Sequence, residues 1–79
     1  MCECTVTFSS PIEIRDFVTL ATRQAFPIHV EHGGLKTSAT SIMSLFCMGL
    51  NRPLRVLSAA SEADAAHFMA ALAPYRVVG

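Results

Sequence analysis

Thr40-Ser41-Ile42-Met43-Ser44-Leu45-Phe46-Cys47-Met48-Gly49 reads as a short helix with a marked start and stop. A hydroxyl at Thr40 or Ser41 suits the cap, where it accepts from the free amides of the first turn. Gly49 suits the end, as the left-handed residue that closes a helix. Between those marks almost nothing is polar. A helix that is apolar nearly all round is either enclosed on every side or shows part of itself to a partner. In so small a chain, enclosing every face of a short helix is hard to arrange. Met43 and Phe46, with Ile42 or Met48, are therefore expected to form a contact patch; the competing reading puts them all in the core.

The rest of the chain must supply the core on which this helix rests. Its 79 residues suit one domain, residues 1–79. A chain of that length buries only about 60–65% of its unfolded surface, so it needs a compact two-layer arrangement. With 52% hydrophobic and 15% charged residues, disorder is not expected. Six basic and six acidic residues cancel, and no basic run appears, which argues against a nucleic-acid partner. No apolar run approaches the roughly 20 residues that span a bilayer, and no signal peptide opens the chain, so neither membrane insertion nor export is expected. The cytoplasm is the default location. Three cysteines, Cys2, Cys4 and Cys47, lack the four-ligand pattern of a zinc site. Reduced thiols and no metal or cofactor are the reading that suits them.

Upstream, Glu3 to Phe8 alternates, with Cys4, Val6 and Phe8 on one side, as a half-buried strand does. Ser10-Pro11-Ile12-Glu13 starts a helix: Ser10 caps, Pro11 fills the first position, and Glu13 reaches back as in a capping box. Ile14, Phe17, Val18, Ala21 and Ala25 continue its apolar face to about Gln24. From Phe26 the period changes to two. Gly33-Gly34 then favours a hairpin, because both residues tolerate positive φ. That turn sets Glu31 opposite Lys36, Val30 opposite Thr37 and Ile28 opposite Ala39. Pro27 belongs at a strand start or an edge.

Downstream, Asn51-Arg52-Pro53 turns into a strand from Leu54 to Ala59. Ser61 caps a last helix that opens with acids and buries Ala65, Phe68, Met69 and Leu72. Pro74 is expected to stop it, leaving Tyr75 to Gly79 as a short tail. The order β-α-β-β-α-β-α predicts an α+β open-faced sandwich, a four-stranded antiparallel sheet with three helices on one face.

That order, with Ser41-Ile42-Met43, Leu45 and Gly49, resembles HPr, the phosphocarrier of the bacterial sugar phosphotransferase system. The likeness extends to Leu20-Ala21, the glycine hairpin and Ser61-Glu62-Ala63-Asp64. HPr proteins carry a phosphoryl group on a histidine at the start of their first helix, followed by an arginine. Read back without gaps from Ser41, those positions hold Ser10 and Ile12. Glu13 in the same turn would repel a phosphate and compete for its amides. His29, His32 and His67 lie elsewhere and read as solvated or partly packed. The resemblance also implies a second position, a serine phosphorylated by a dedicated kinase, and Ser41 matches it; the plain alternative is a helix cap. A histidine-less relative that keeps this serine is similar to the catabolite-repression HPr paralogue. The implied function is a non-enzymatic regulatory module that binds a kinase, a transcription regulator or a phosphotransferase-system component. The contact surface would be Ile42, Met43, Phe46 and Met48, gated by Ser41. The alternatives are a working phosphocarrier in sugar uptake, or a small structural protein whose apolar patch is a homodimer seam.

Overall fold

The computed structural model describes residues 2–77. Its elements run β1 (Cys2–Val6), α1 (Pro11–Thr22), β2 (Ile28–His32), β3 (Leu35–Ser38), α2 (Ile42–Met48), β4 (Leu54–Ser58) and α3 (Glu62–Ala71), followed by a 3-10 turn at Ala73–Tyr75. The strands form one antiparallel sheet in the order β1-β4-β2-β3. The architecture is the α+β open-faced sandwich that the element order predicts.

Strand alternation decides which side of the sheet is dry. Cys4 and Val6 of β1, Ile28 and Val30 of β2, and Leu54 and Val56 of β4 all point to the helices. They meet Ile14, Phe17 and Ala21 of α1, Leu45 and Met48 of α2, and Phe68 with Leu72 from α3 and its end. Three aromatic rings knit this layer together. Phe17 stands 5.2 Å from Phe8 and 6.2 Å from Phe68, both tilted.

The hairpin has the register its turn dictates, with Glu31 facing Lys36 and Val30 facing Thr37. Gly33 and Gly34 take φ of 57° and 83°, conformations that L side chains resist. Ala39 donates its amide to Ile28 O at 2.9 Å, which carries the pairing one residue past β3. On the solvent face, Arg55 of β4 reaches sideways to carboxylates on both neighbouring strands, Glu3 and Glu31.

Several boundaries differ from the sequence expectation. β1 ends at Val6, although Phe8 still points inward and is fully buried. α1 stops at Thr22, so Ala25 lies beyond the helix and is exposed. β2 begins at Ile28 and not at Phe26; Pro27, directly before it, takes the strand start, one of its two expected places. Pro74 does not stop α3, which has already closed at Leu72; it lies inside the 3-10 turn. Beyond that turn the chain returns to β1. Thr7 N–H donates to Tyr75 O at 2.8 Å, and Val77 N–H to Thr5 O at 3.0 Å. Val78 and Gly79, the end of the expected tail, lie outside the described residues.

Candidate functional site

Two features could meet another molecule: the outer face of α2, and the loop that enters α1. In α2, the seven residues Ile42–Met48 divide into two faces. Leu45 and Met48, three apart, point into the core, and Met48 is only 3% exposed. Met43, Phe46 and Cys47 point outward, with Met43 73% and Phe46 40% exposed. Ile42 is half-buried against the core. Met48 is thus removed from the expected contact patch: one turn after Leu45, it fills the space beneath the helix. Met43, Phe46 and the outer part of Ile42 remain available.

The cap of this helix also differs from expectation. Ser41 holds the N-cap position, but its hydroxyl accepts no bond from the first-turn amides. Ser38 organises the entrance in its place. Its carbonyl accepts from Ser41 N at 3.1 Å, while its hydroxyl meets the Thr40 hydroxyl at 2.8 Å and accepts from Thr40 N at 3.3 Å. The hydroxyl run Thr37-Ser38-Ala39-Thr40-Ser41 was the available signal for such a side-chain turn. At the other end, Gly49 has φ 92° and ψ 166°. This is a glycine-only extended conformation rather than the left-handed helical one.

The entrance to α1 is closed by its own side chains. Ser10 caps the helix, its hydroxyl accepting from Glu13 N at 3.4 Å. Glu13 reaches back as the spacing predicts, but its target is the residue before the cap. Its two carboxylate oxygens accept from the amide and the hydroxyl of Ser9, each at 2.9 Å. Next to this turn, Ile12 is 61% exposed, and Arg15 pairs with Asp16 at 3.7 Å on the surface. The two candidate regions are tied by backbone: Asn51, just past α2, donates to Phe8 O at 2.7 Å, just before α1. Asn51 takes φ 58° to make that contact.

Apart from Cys47, which lies on the outer face of α2, the remaining chemistry-bearing groups lie away from both features. His29 and His32 are on the hairpin, with His32 Nδ1 3.1 Å from Pro53 O, and His67 is exposed on α3. Cys2 and Cys4 are buried and Cys47 is exposed, all unbonded to one another. Burial pushes the Cys4 thiol above its ordinary pKa, against a smaller lowering by Arg76. Among the described residues, no group of three or more His, Cys, Asp or Glu side chains comes together as a metal would require, and no helix is long and apolar enough to cross a membrane.

No protein-family description matches the sequence, and no curated protein matches it. Its shape does have a solved counterpart. The crystal structure of HPr-C-His from Thermoanaerobacter tengcongensis superposes with a TM-score of 0.72, over 91% of this chain and 90% of that one, at 21% sequence identity. The four-stranded antiparallel sheet, the element order β-α-β-β-α-β-α and this superposition together give the chain an HPr-like fold.

Proposed function

We propose that this protein is an HPr-like binding module that carries no phosphoryl group and acts by docking other proteins on α2. Its contact residues are Met43, Phe46 and the outer part of Ile42, and phosphorylation of Ser41 gates the contact. The observation that carries this reading is the pair of large apolar side chains, Met43 and Phe46, that α2 turns to water. Hydrophobic groups held out on a folded helix mark contact surfaces when they cluster. The entrance to α1 supports the other half of the reading. Ser10 stands where the family resemblance places the phosphorylated histidine, and Glu13 already occupies the polar groups at that turn.

Ser41 suits a gate because its hydroxyl has no capping role to lose. A phosphate there would bring about −1.5 to −2 charge to a helix that has no charged residue. It would favour cationic partners and repel acidic ones at the same apolar surface. The partner classes are a kinase, a transcription regulator or a phosphotransferase-system component, met in the cytoplasm; the protein itself performs no catalysis.

Intact mass after incubation with an HPr-type kinase and ATP tests the gate: one added phosphate is expected, lost in Ser41→Ala. Parallel incubation with phosphoenolpyruvate and enzyme I should add no acid-labile phosphate. A transferable phosphate on any of the three histidines would make the protein a working carrier and remove the reading.

A further inference from the structure

β3 closes one side of the sheet, and no strand lies beyond it among the described residues. Its pairing with β2 determines which backbone groups face that open edge. Ala39 N–H bonds to Ile28 O, and antiparallel pairs alternate, so Leu35, Thr37 and Ala39 turn their backbone groups toward β2. Lys36 and Ser38 turn theirs outward. The carbonyl of Ser38 is taken by Ser41 N. The amide and carbonyl of Lys36 and the amide of Ser38 are left along the edge.

Beside this edge runs a groove of about 260 Å³, with Leu35, Lys36 and Thr37 on one side and Met43, Ser44 and Cys47 of α2 on the other. Leu35 is 58% exposed and Met43 73%. A sheet edge lying next to a helix, with apolar side chains between them, is the arrangement that accepts an extended chain as an extra strand. The charges restrict what that chain can be. Lys36 lies opposite Glu31 in the hairpin, yet Glu31 gives its carboxylate to Arg55 at 3.1 Å. Among the described residues Lys36 makes no ion pair. A second copy of β3, Leu35-Lys36-Thr37-Ser38, brings no carboxylate to it.

We infer that this groove receives an extended segment of a partner protein, alternating apolar, acidic, apolar, as a fifth strand on β3. The segment's acidic residue pairs its backbone with Lys36 and sets its carboxylate beside the ammonium on the open face of the sheet. Its two apolar neighbours point the other way, one against Leu35 and Met43, the other against Thr37 and Cys47. The inference rests on α2 being a docking element, and it specifies the side of α2 used and the chemistry of what docks there.

The test is a titration of the ¹⁵N-labelled protein with acetyl-Val-Glu-Val-Glu-Val-amide, followed by amide NMR. The expected result is shifts at Lys36, Ser38, Met43 and Cys47, with slowed hydrogen exchange at the Lys36 and Ser38 amides. The same peptide N-methylated at its glutamates, or carrying lysine in their place, should bind several-fold more weakly. Lys36→Glu, a change at an exposed edge, should weaken the glutamate peptide about fivefold and favour the lysine peptide. Shifts confined to the α1 side of α2, unchanged exchange at Lys36 and Ser38, or indifference to the Lys36→Glu change would overturn the inference. So would the same shifts appearing without peptide as protein concentration rises, which would make a second copy the occupant. No kinase or phosphate enters this experiment, so its failure is separable from failure of the Ser41 gate.

Discussion

Truncating Met48 to alanine and, separately, Met43 to alanine divides α2 into its two faces. Methionine and alanine have similar helix propensity, so the two changes differ chiefly in what the lost side chain touched. Met48 is 3% exposed and packs among Leu45 and the sheet residues. Its loss removes buried apolar surface and leaves a cavity, at about 2–5 kcal/mol. A chain of this size has a total stability of roughly 4–12 kcal/mol, so that loss is a large share of the whole. At about 4–8 °C per kcal/mol for a domain of this length, the melting temperature should fall by about 10 °C or more. Met43 is 73% exposed, and truncating it should stay within about 0.5 kcal/mol, a shift of less than about 4 °C. Thermal melts followed by circular dichroism, with urea unfolding at 25 °C as a second measure, read both values. Equal losses in the two variants, or the larger loss at Met43, would mean that α2 is rotated from the orientation described. The docking surface assigned to it would then be wrong.

Glu13→Gln keeps the shape of the side chain but removes the charge from the first turn of α1; it should destabilise by about 0.5–1 kcal/mol, read by urea unfolding and reduced at high salt. Gly49→Ala should cost about 1–3 kcal/mol in the same assay, because φ 92° with ψ 166° is strained for any residue with a Cβ and that atom would sit 3.2 Å from Arg52 Nε. Stability should also fall on the alkaline side. The folded-state pKa of the Cys4 thiol lies above its unfolded value because of burial, so its contribution is complete below the ordinary thiol range, about 8.5, and is lost as pH rises through the folded value. Cys4→Ala should flatten that decline in urea midpoints measured across alkaline pH. Under native conditions iodoacetamide should modify Cys47 and spare Cys2 and Cys4, giving one adduct by intact mass where the unfolded chain gives three.

Much of this fold was legible because its signals were local and independent. The Gly33-Gly34 turn alone fixes the hairpin register, since a two-residue loop leaves one way to align Glu31 with Lys36. Ser10-Pro11 and Ser61 mark helix starts through hydrogen bonds that the structure contains. What the sequence could not settle was the rotation of α2. A helix whose seven positions are six apolar residues and one serine has no polar face to mark the wet side. The inward choice of Met48 over Met43 is made by the shape of the layer beneath it. The tail was illegible for a similar reason. Its pairing with β1 rests on the Tyr75 carbonyl and the Val77 amide, and backbone groups carry no residue code. The spacing of hydroxyls does not say which of them bonds: Ser38 ties Thr40 into a turn ahead of α2, while the Ser41 hydroxyl at the cap position meets no first-turn amide.

The candidate surfaces differ in how fully they satisfy themselves, and that difference ranks them as places to bind. At the entrance to α1, Glu13 supplies two acceptors to Ser9 and Ser10 supplies one to Glu13. An incoming anion would have to displace a carboxylate already held by two bonds, with charge repulsion while it did so. On the sheet face, both carboxylates, Glu3 and Glu31, are already held by Arg55. Among the described residues, the α2 face and the β3 edge have no such internal partners. Met43, Phe46 and Leu35 are turned to water, and the outward backbone groups of Lys36 meet no strand among the described residues. The apolar side chains would gain from leaving water, and the backbone groups of Lys36 would exchange water for the amide and carbonyl of an added strand, whereas the polar groups at α1 and on the sheet would first have to give up bonds they already have.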